Sequence, residues 1–164
     1  MPTLTLAEVD ALAEAAHAGQ VDRLGVPYVE HVRAVADALL PLGEELAMAG
    51  LLHDVLEDTP WTADALLAAG VPAPVVAAVR AVTKVPGVPY DEMVRRVAAD
   101  PVAALVKIAD NAHNSRPDRA AALEPEARER LGAKYAAARE VLWPAVDPDD
   151  LRAVLARANP ALLP

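Results

Sequence analysis

The sequence predicts an all-α fold, a single helical bundle of eight to nine helices. Three observations carry that expectation. The chain has 164 residues, the size of one compact domain. Its hydrophobic content is 54%, with no Phe and with Ala, Val and Leu supplying most of it. Such a core of small and branched aliphatics suits closely packed helices. Finally, apolar positions recur every three or four residues between punctuating prolines and glycines.

The elements follow in order. "TLAEVDALAEAAHAG" is the first helix, with Thr5 and Glu8 at capping-box spacing and Gly19 as its end. The polar loop "QVDRLGVP" leads to Pro27 and Tyr28, which open a second helix, "YVEHVRAVADALL". It stops near Pro41–Gly43. A third helix is expected from about Glu44 to Glu57. "TADALLAAG" is a short fourth, capped by Thr62 and ended by Gly70. "APVVAAVRAVTK" is rich in valine, but with no partner strand in sight it reads as a fifth helix. "YDEMVRRVAAD" follows the loop "VPGVP". Asp100–Pro101 starts "PVAALVKIADNAHNS", with Pro101 at a favourable first-turn position. "PEARERLGAKYAAAREVLW" is the longest amphipathic stretch, and "PDDLRAVLARA" is the last helix. No repeat, low-complexity tract or linker interrupts the series. One domain is therefore expected over 1–164, with a motif-bearing core at about 10–120 and C-terminal helices at 125–164.

Charge and composition exclude several classes. The formal net charge is −9, so broad nucleic-acid binding is not expected. A small anionic ligand remains compatible if basic residues gather locally. The absence of cysteine excludes disulfide and thiol chemistry. The N-terminus has no signal-peptide pattern, and no apolar run approaches the ~20 residues a bilayer needs. A cytoplasmic protein without a membrane partner is the expectation. The sequence is silent on oligomeric state.

The chemistry concentrates in "LLHDVLEDT", residues 51–59. An apolar run, "ELAMAGLL", leads straight into His53, Asp54, Glu57 and Asp58. On a continuous helix His53 and Asp54 are about 100° apart, and Glu57 and Asp58 lie one turn beyond them. Four such groups are costly to bury without a cation. A divalent metal removes the difficulty, taking an imidazole and a carboxylate while the other acids remain free for proton transfer. His31, mid-helix in "YVEHVRAVADALL", and Asp110, set into "ALVKIADNAHN", complete a set of two nitrogens and two carboxylates. That set suits Mn²⁺ or Fe²⁺, and Zn²⁺ less well.

The ordered series "AHAGQ", "GVPYVEHVRAVA", "LLHDVLEDT", "AVTK" and "VKIADNAHNSR" resembles the HD-domain metal-dependent phosphohydrolases. Within them it is most similar to the hydrolase domain of RelA/SpoT proteins and the small alarmone hydrolases. The resemblance covers roughly residues 10 to 120. It implies that His31, His53, Asp54 and Asp110 bind one Mn²⁺ and that Glu57 and Asp58 handle the attacking water. It implies removal of the 3′-pyrophosphate from ppGpp or pppGpp, giving GDP or GTP. Asn114 matches a nucleotide-contacting position, and Arg116 falls on the arginine of the family's "HNxR" motif. Arg23, Lys84 and Lys107 join them as expected substrate-binding residues.

Three departures fall at nucleotide-contacting positions. Asp22 stands where the family usually carries a cation, Leu24 where it carries a small polar or acidic residue, and Pro117 where it often has Thr. Two rival readings follow: the same metal chemistry on NADPH or a deoxynucleotide, and a non-catalytic nucleotide-sensing module. The intact acids of "HDVLEDT" weigh against the second. His17 is expected to order the "AHAGQ" turn, and His113 to support Asp110 rather than bind metal. Arg119 is a candidate for the cationic rim, and Tyr135 is expected to fill the core.

Overall fold

The computed structural model describes residues 2–164. Its α-helices, in chain order, are α1 (Leu6–Ala16), α2 (Tyr28–Leu39), α3 (Glu44–Leu52) and α4 (Val55–Asp58), then α5 (Ala63–Ala69), α6 (Ala73–Val82), α7 (Tyr90–Ala98) and α8 (Pro101–Asn114), and last α9 (Pro117–Ala121), α10 (Pro125–Leu142) and α11 (Pro148–Ala158). No strand occurs among the described residues; Val21 and Pro27 form one isolated bridge. The fold is all-α.

Local chemistry sets the helix starts. The Thr5 hydroxyl accepts from the Glu8 amide, and the Glu8 carboxylate accepts from the Thr5 amide at 2.8 Å, a reciprocal capping box. Asp100 caps α8 by accepting from the Val102 and Ala103 amides, with Pro101 in the first turn. Asp147 caps α11 in the same way. Gly70 ends α5 at φ +97°, a conformation that favours glycine.

The third helix departs from expectation. It does not run through to Glu57 but stops at Leu52, and a separate turn, α4, starts at Val55. The His53 imidazole explains the break. Its Nδ1 donates to the Gly50 carbonyl at 2.7 Å, an acceptor that a continuing helix would offer to the Asp54 amide. The motif is therefore a helix end, a two-residue corner and a new turn. Four more short pieces escape the sequence pattern: α9, and the 3₁₀ turns after α2, α10 and α11.

Helices α2 and α3 pack tightly together, and both pack on α8. α11 crosses α2 and α8, while α6 covers the other side of α3 and α8. α7 and α10 pair with each other and lean on α8. One hydrophobic cluster joins them, with Leu39, Leu52, Ile108, Leu142 and Leu155 fully buried. Side-chain amides tie the C-terminal helices to α8. Asn159 Nδ2 donates to the Ala112 carbonyl at 3.0 Å, and Asn111 Nδ2 donates to the Tyr135 carbonyl at 3.1 Å.

The α2–α3 contact needs a glycine. A Cβ on Gly50 would sit 3.0 Å from the Ala36 Cα and nitrogen, both backbone atoms, and 3.0 Å from Leu39 Cδ1. Ala is the better helix former by about 1 kcal/mol. Overpacking against backbone costs about 1–3 kcal/mol, so the clash wins. Gly50→Ala is expected to lower the melting temperature, at roughly 2–4 °C per kcal/mol for a chain of this size. Calorimetry checks it.

Candidate metal centre

Three helices bring four potential ligands to one point. His31 comes from the middle of α2, His53 and Asp54 from the corner after α3, and Asp110 from α8. One ligand atom from each lies within 4.8 Å of the others. His31 Nε2 is 3.0 Å from Asp110 Oδ1 and 3.9 Å from Asp54 Oδ2. His53 Nε2 is 2.9 Å from Asp54 Oδ2 and 3.4 Å from Asp110 Oδ1. His31, His53 and Asp110 are buried, and Asp54 is partly so.

The outer hydrogen bonds aim these atoms inward. His53 Nδ1–H donates to Gly50 O, so Nε2 is the ring nitrogen turned to the cluster. That Nε2 is buried and, despite its closeness to Asp54, has no partner in hydrogen-bonding geometry. His31 Nδ1 meets His113 Nδ1 at 2.7 Å. Burial, then the neighbouring charges of His31, Arg119 and Arg116, pulls His113 down to about 3, so it is neutral and can accept. Two imidazole nitrogens and two carboxylates thus converge on one spot. A cation is what lets four acceptors do so. The donor set fits a divalent ion.

The electrostatics agree. Burial pushes the Asp54 and Asp110 carboxyls up, but their cationic neighbours outweigh it. His53 leads for Asp54, bringing it down to about 2, and Lys107 leads for Asp110. Asp110 is fully engaged: Lys107 Nζ bonds Oδ2 at 3.0 Å and Asn114 Nδ2 bonds Oδ1 at 2.9 Å. Burial lowers His53, yet the negative field of Asp54 and Asp110 raises it overall. The same negative field favours a divalent ion in place of that proton. The Tyr28 hydroxyl donates to Asp54 Oδ2 at 2.5 Å. Burial, then the charge of Asp54, keeps that phenol protonated. The sequence reading had not assigned Tyr28 a contact, although it lies three residues before His31 on one helix face.

Glu57 and Asp58 stand beside the cluster on α4, facing a cavity of about 460 Å³. The Glu57 carboxylate accepts from the Lys84 amide at 2.6 Å. Gln20 Nε2 donates to the Asp58 carbonyl at 2.9 Å, and His17 Nδ1 contacts Gln20 Oε1 at 2.8 Å. His17 therefore orders the turn, as expected from "AHAGQ".

Of the expected substrate-binding residues, Arg23, Lys84, Lys107 and Asn114 line this cavity. Arg116 does not. Its Nε donates to Asp118 at 3.0 Å where α9 begins, and its side chain is exposed. Asp22 lines the cavity wall, but its carboxylate is engaged within the protein. Its side chain is only 6% exposed and turns into its own loop. It accepts from the Leu24 and Val26 amides at 2.8 and 3.0 Å, and from Arg119 Nη1 at 3.0 Å. Arg119 is thus paired rather than a free rim cation. Tyr135 lines the cavity instead of filling the core, and Tyr90 and Lys134 join it there.

Comparison with known proteins identifies the family. The family described as HD domain matches residues 10–141, and the chain belongs to it. It is 35% identical over 133 residues to a guanosine-3′,5′-bis(diphosphate) 3′-pyrophosphohydrolase of Haemophilus influenzae, covering 73% of this chain and 19% of that protein. It is 37% identical over 128 residues to a GTP pyrophosphokinase of Streptomyces coelicolor, covering 70% of this chain and 15% of that one. It is 34% identical over 132 residues to the bifunctional (p)ppGpp synthase/hydrolase SpoT of Escherichia coli, covering 73% and 18%. The chain spans less than a fifth of the length of these relatives. A solved structure of a metazoan SpoT ortholog, described as hydrolysing ppGpp, superposes with a TM-score of 0.72 at 24% identity over 97% of this chain and 98% of that one. The two share a fold.

His53→Ala is expected to abolish stoichiometric divalent-ion binding, read by titration calorimetry. His113→Ala, which removes only the support behind His31, should weaken binding about 10–100-fold.

Proposed function

We propose that this chain is a metal-dependent phosphohydrolase that removes the 3′-pyrophosphate from ppGpp or pppGpp, giving GDP or GTP and pyrophosphate. One observation carries the reading. A cluster of two imidazoles and two carboxylates stands at a cavity rimmed by lysine and arginine, in a chain of net charge −9. The names of the relatives from Haemophilus influenzae and Escherichia coli support the choice of substrate. We take one domain to span 1–164, working on a nucleotide in the cytoplasm without nucleic acid as a partner.

His31, His53, Asp54 and Asp110 would hold the ion, Mn²⁺ in this reading, with Fe²⁺ or Zn²⁺ as alternatives. When bound, it supplies a Lewis acid and lowers the pKa of a coordinated water. Tyr28, Lys107 and Asn114 hold the two carboxylates in place. Glu57 and Asp58 take the water's proton. Burial raises both carboxyls, and the charge of Asp54 adds to it, moving them toward the range where a carboxylate is an effective base. The same proton is then available to the departing 3′-oxygen. Arg23 and Lys84 face the phosphates from the 20–28 loop and the α6–α7 loop.

A second reading keeps the centre and changes the nucleotide to NADPH or a deoxynucleotide. It is favoured by the 20–28 loop, where Asp22 is occupied with Arg119 and Arg23 is the one cation left. The non-catalytic sensor has less support, since the cluster keeps its four donors and two neighbouring acids.

Purified Mn²⁺-loaded protein should convert ppGpp to GDP and pyrophosphate, resolved by anion-exchange chromatography. Intact ppGpp beside cleaved NADPH or deoxynucleotide would replace the substrate and leave the metal chemistry standing. Glu57→Gln should keep the ion, by elemental analysis, while turnover falls ~10²-fold or more.

A further inference from the structure

Lys134 lies on α10, in the part of the chain where the sequence shows no motif. Its Nζ stands 4.2 Å from the centroid of the Tyr90 ring on α7, in cation–π contact. No carboxylate pairs with it among the described residues. Burial, then the charges of Lys84 and Lys107, lowers its pKa. A half-buried ammonium facing like charges is an unfavourable arrangement until an anion arrives.

The surrounding cations divide into two groups. Lys107 is bonded to Asp110, and Arg119 to Asp22. Arg23, Lys84 and Lys134 have no acidic partner among the described residues, and all three line the cavity. Lys107 belongs to the metal end, and its Nζ stands 5.9 Å from the same Tyr90 ring. Lys134 makes no contact with the cluster. With Lys84 and Tyr90 it also lines a second hollow of about 760 Å³, whose wall includes Leu56, Val88 and Met93 as well as Glu57 and Asp58 on the side of the cluster. Tyr90 and Lys134 thus stand where the two hollows share a wall.

We infer that Lys134, held over Tyr90 and backed by Lys84, binds a second phosphate group of the substrate, one that is not hydrolysed. The inference rests on the nucleotide phosphohydrolase reading but not on the identity of the nucleotide. The reacting phosphate belongs at the cluster, where Lys107 is already engaged by Asp110. A second phosphate reaching past Tyr90 meets two ammonium groups with free hydrogen-bonding capacity. It would relieve their mutual repulsion at the same time.

The test is calorimetric binding to the Mn²⁺-loaded Glu57→Gln protein, in which turnover is suppressed. The probes are guanosine 3′,5′-bisphosphate and guanosine 3′-monophosphate. With Lys134 intact, the bisphosphate should bind about 10-fold tighter or more, the scale of one charge-assisted contact. Lys134→Ala should reduce that ratio to about threefold or less. Lys134→Arg should restore most of it. Tyr90→Leu, which removes the ring and keeps the lysine, should give an intermediate ratio, and it serves as the test should Lys134→Ala fail to fold. An unchanged ratio in Lys134→Ala, or no preference with Lys134 intact, overturns the inference. Failure to cleave ppGpp would sink the substrate assignment alone, because the ratio is read without turnover.

Discussion

Asp110 is a carboxylate buried at the centre of a helical bundle, and the organisation of the site follows from the need to satisfy it. A buried unpaired charge is prohibitively costly. Asp110 avoids that cost through Lys107 and Asn114, one turn away on α8, and through His31, brought by α2. His53 approaches from the end of α3. These partners converge only because α2 and α3 approach closely, and Gly50 is what permits it. Fold and site therefore share a constraint. The glycine that lets the helices touch also offers the carbonyl that orients His53 and breaks the helix.

That coupling explains what the sequence made legible. Capping residues and apolar periodicity are local signals, and nine of the eleven helices follow from them, from Thr5 capping α1 to Asp147 capping α11. The four clustered residues were also legible, since ligand-type side chains set in apolar helices are conspicuous. The break at His53–Asp54 was not, because it depends on a side chain competing for a backbone acceptor. Asp22 illustrates a different limit. Its position reads as a lost cation, yet its orientation depends on Arg119, which lies 97 residues away. Lys134 and Tyr90 stand on surface-like stretches of two helices. Only the α7–α10 pairing brings them to the cavity.

The C-terminal helices carry no motif, yet α8 depends on them. Asn111 is bonded to the α10 backbone, Arg139 reaches Ser115 at 3.2 Å, and Asn159 closes on the Ala112 carbonyl. The last turn of α8, which presents Asp110 and Asn114 on one face, is thereby held from behind on another. The family match reaches residue 141, beyond the last catalytic-type motif, in keeping with that role. Substituting exposed positions of α10 would leave the site intact, whereas loosening these amide contacts would shift Asp110 relative to α2 and α3.

A chain of net charge −9 whose cavity is rimmed by lysine and arginine separates its charges. Many of its arginines are tied to carboxylates away from the cavity: Arg33 to Asp10 and Glu14, Arg95 to Asp91, Arg96 to Glu92, and Arg157 to Asp37. These exposed pairs add little stability each. Their consequence is electrostatic. They neutralise cations elsewhere and leave Arg23, Lys84 and Lys134, without an acidic partner among the described residues, at one cavity. The carboxylates of Asp54 and Asp110 lie at its far end, where a divalent ion would offset them. A phosphorylated ligand approaching a chain of net charge −9 would then meet lysine and arginine before the cluster of two imidazoles and two carboxylates. Local placement of three unpaired cations, rather than overall charge, decides whether such a ligand can enter.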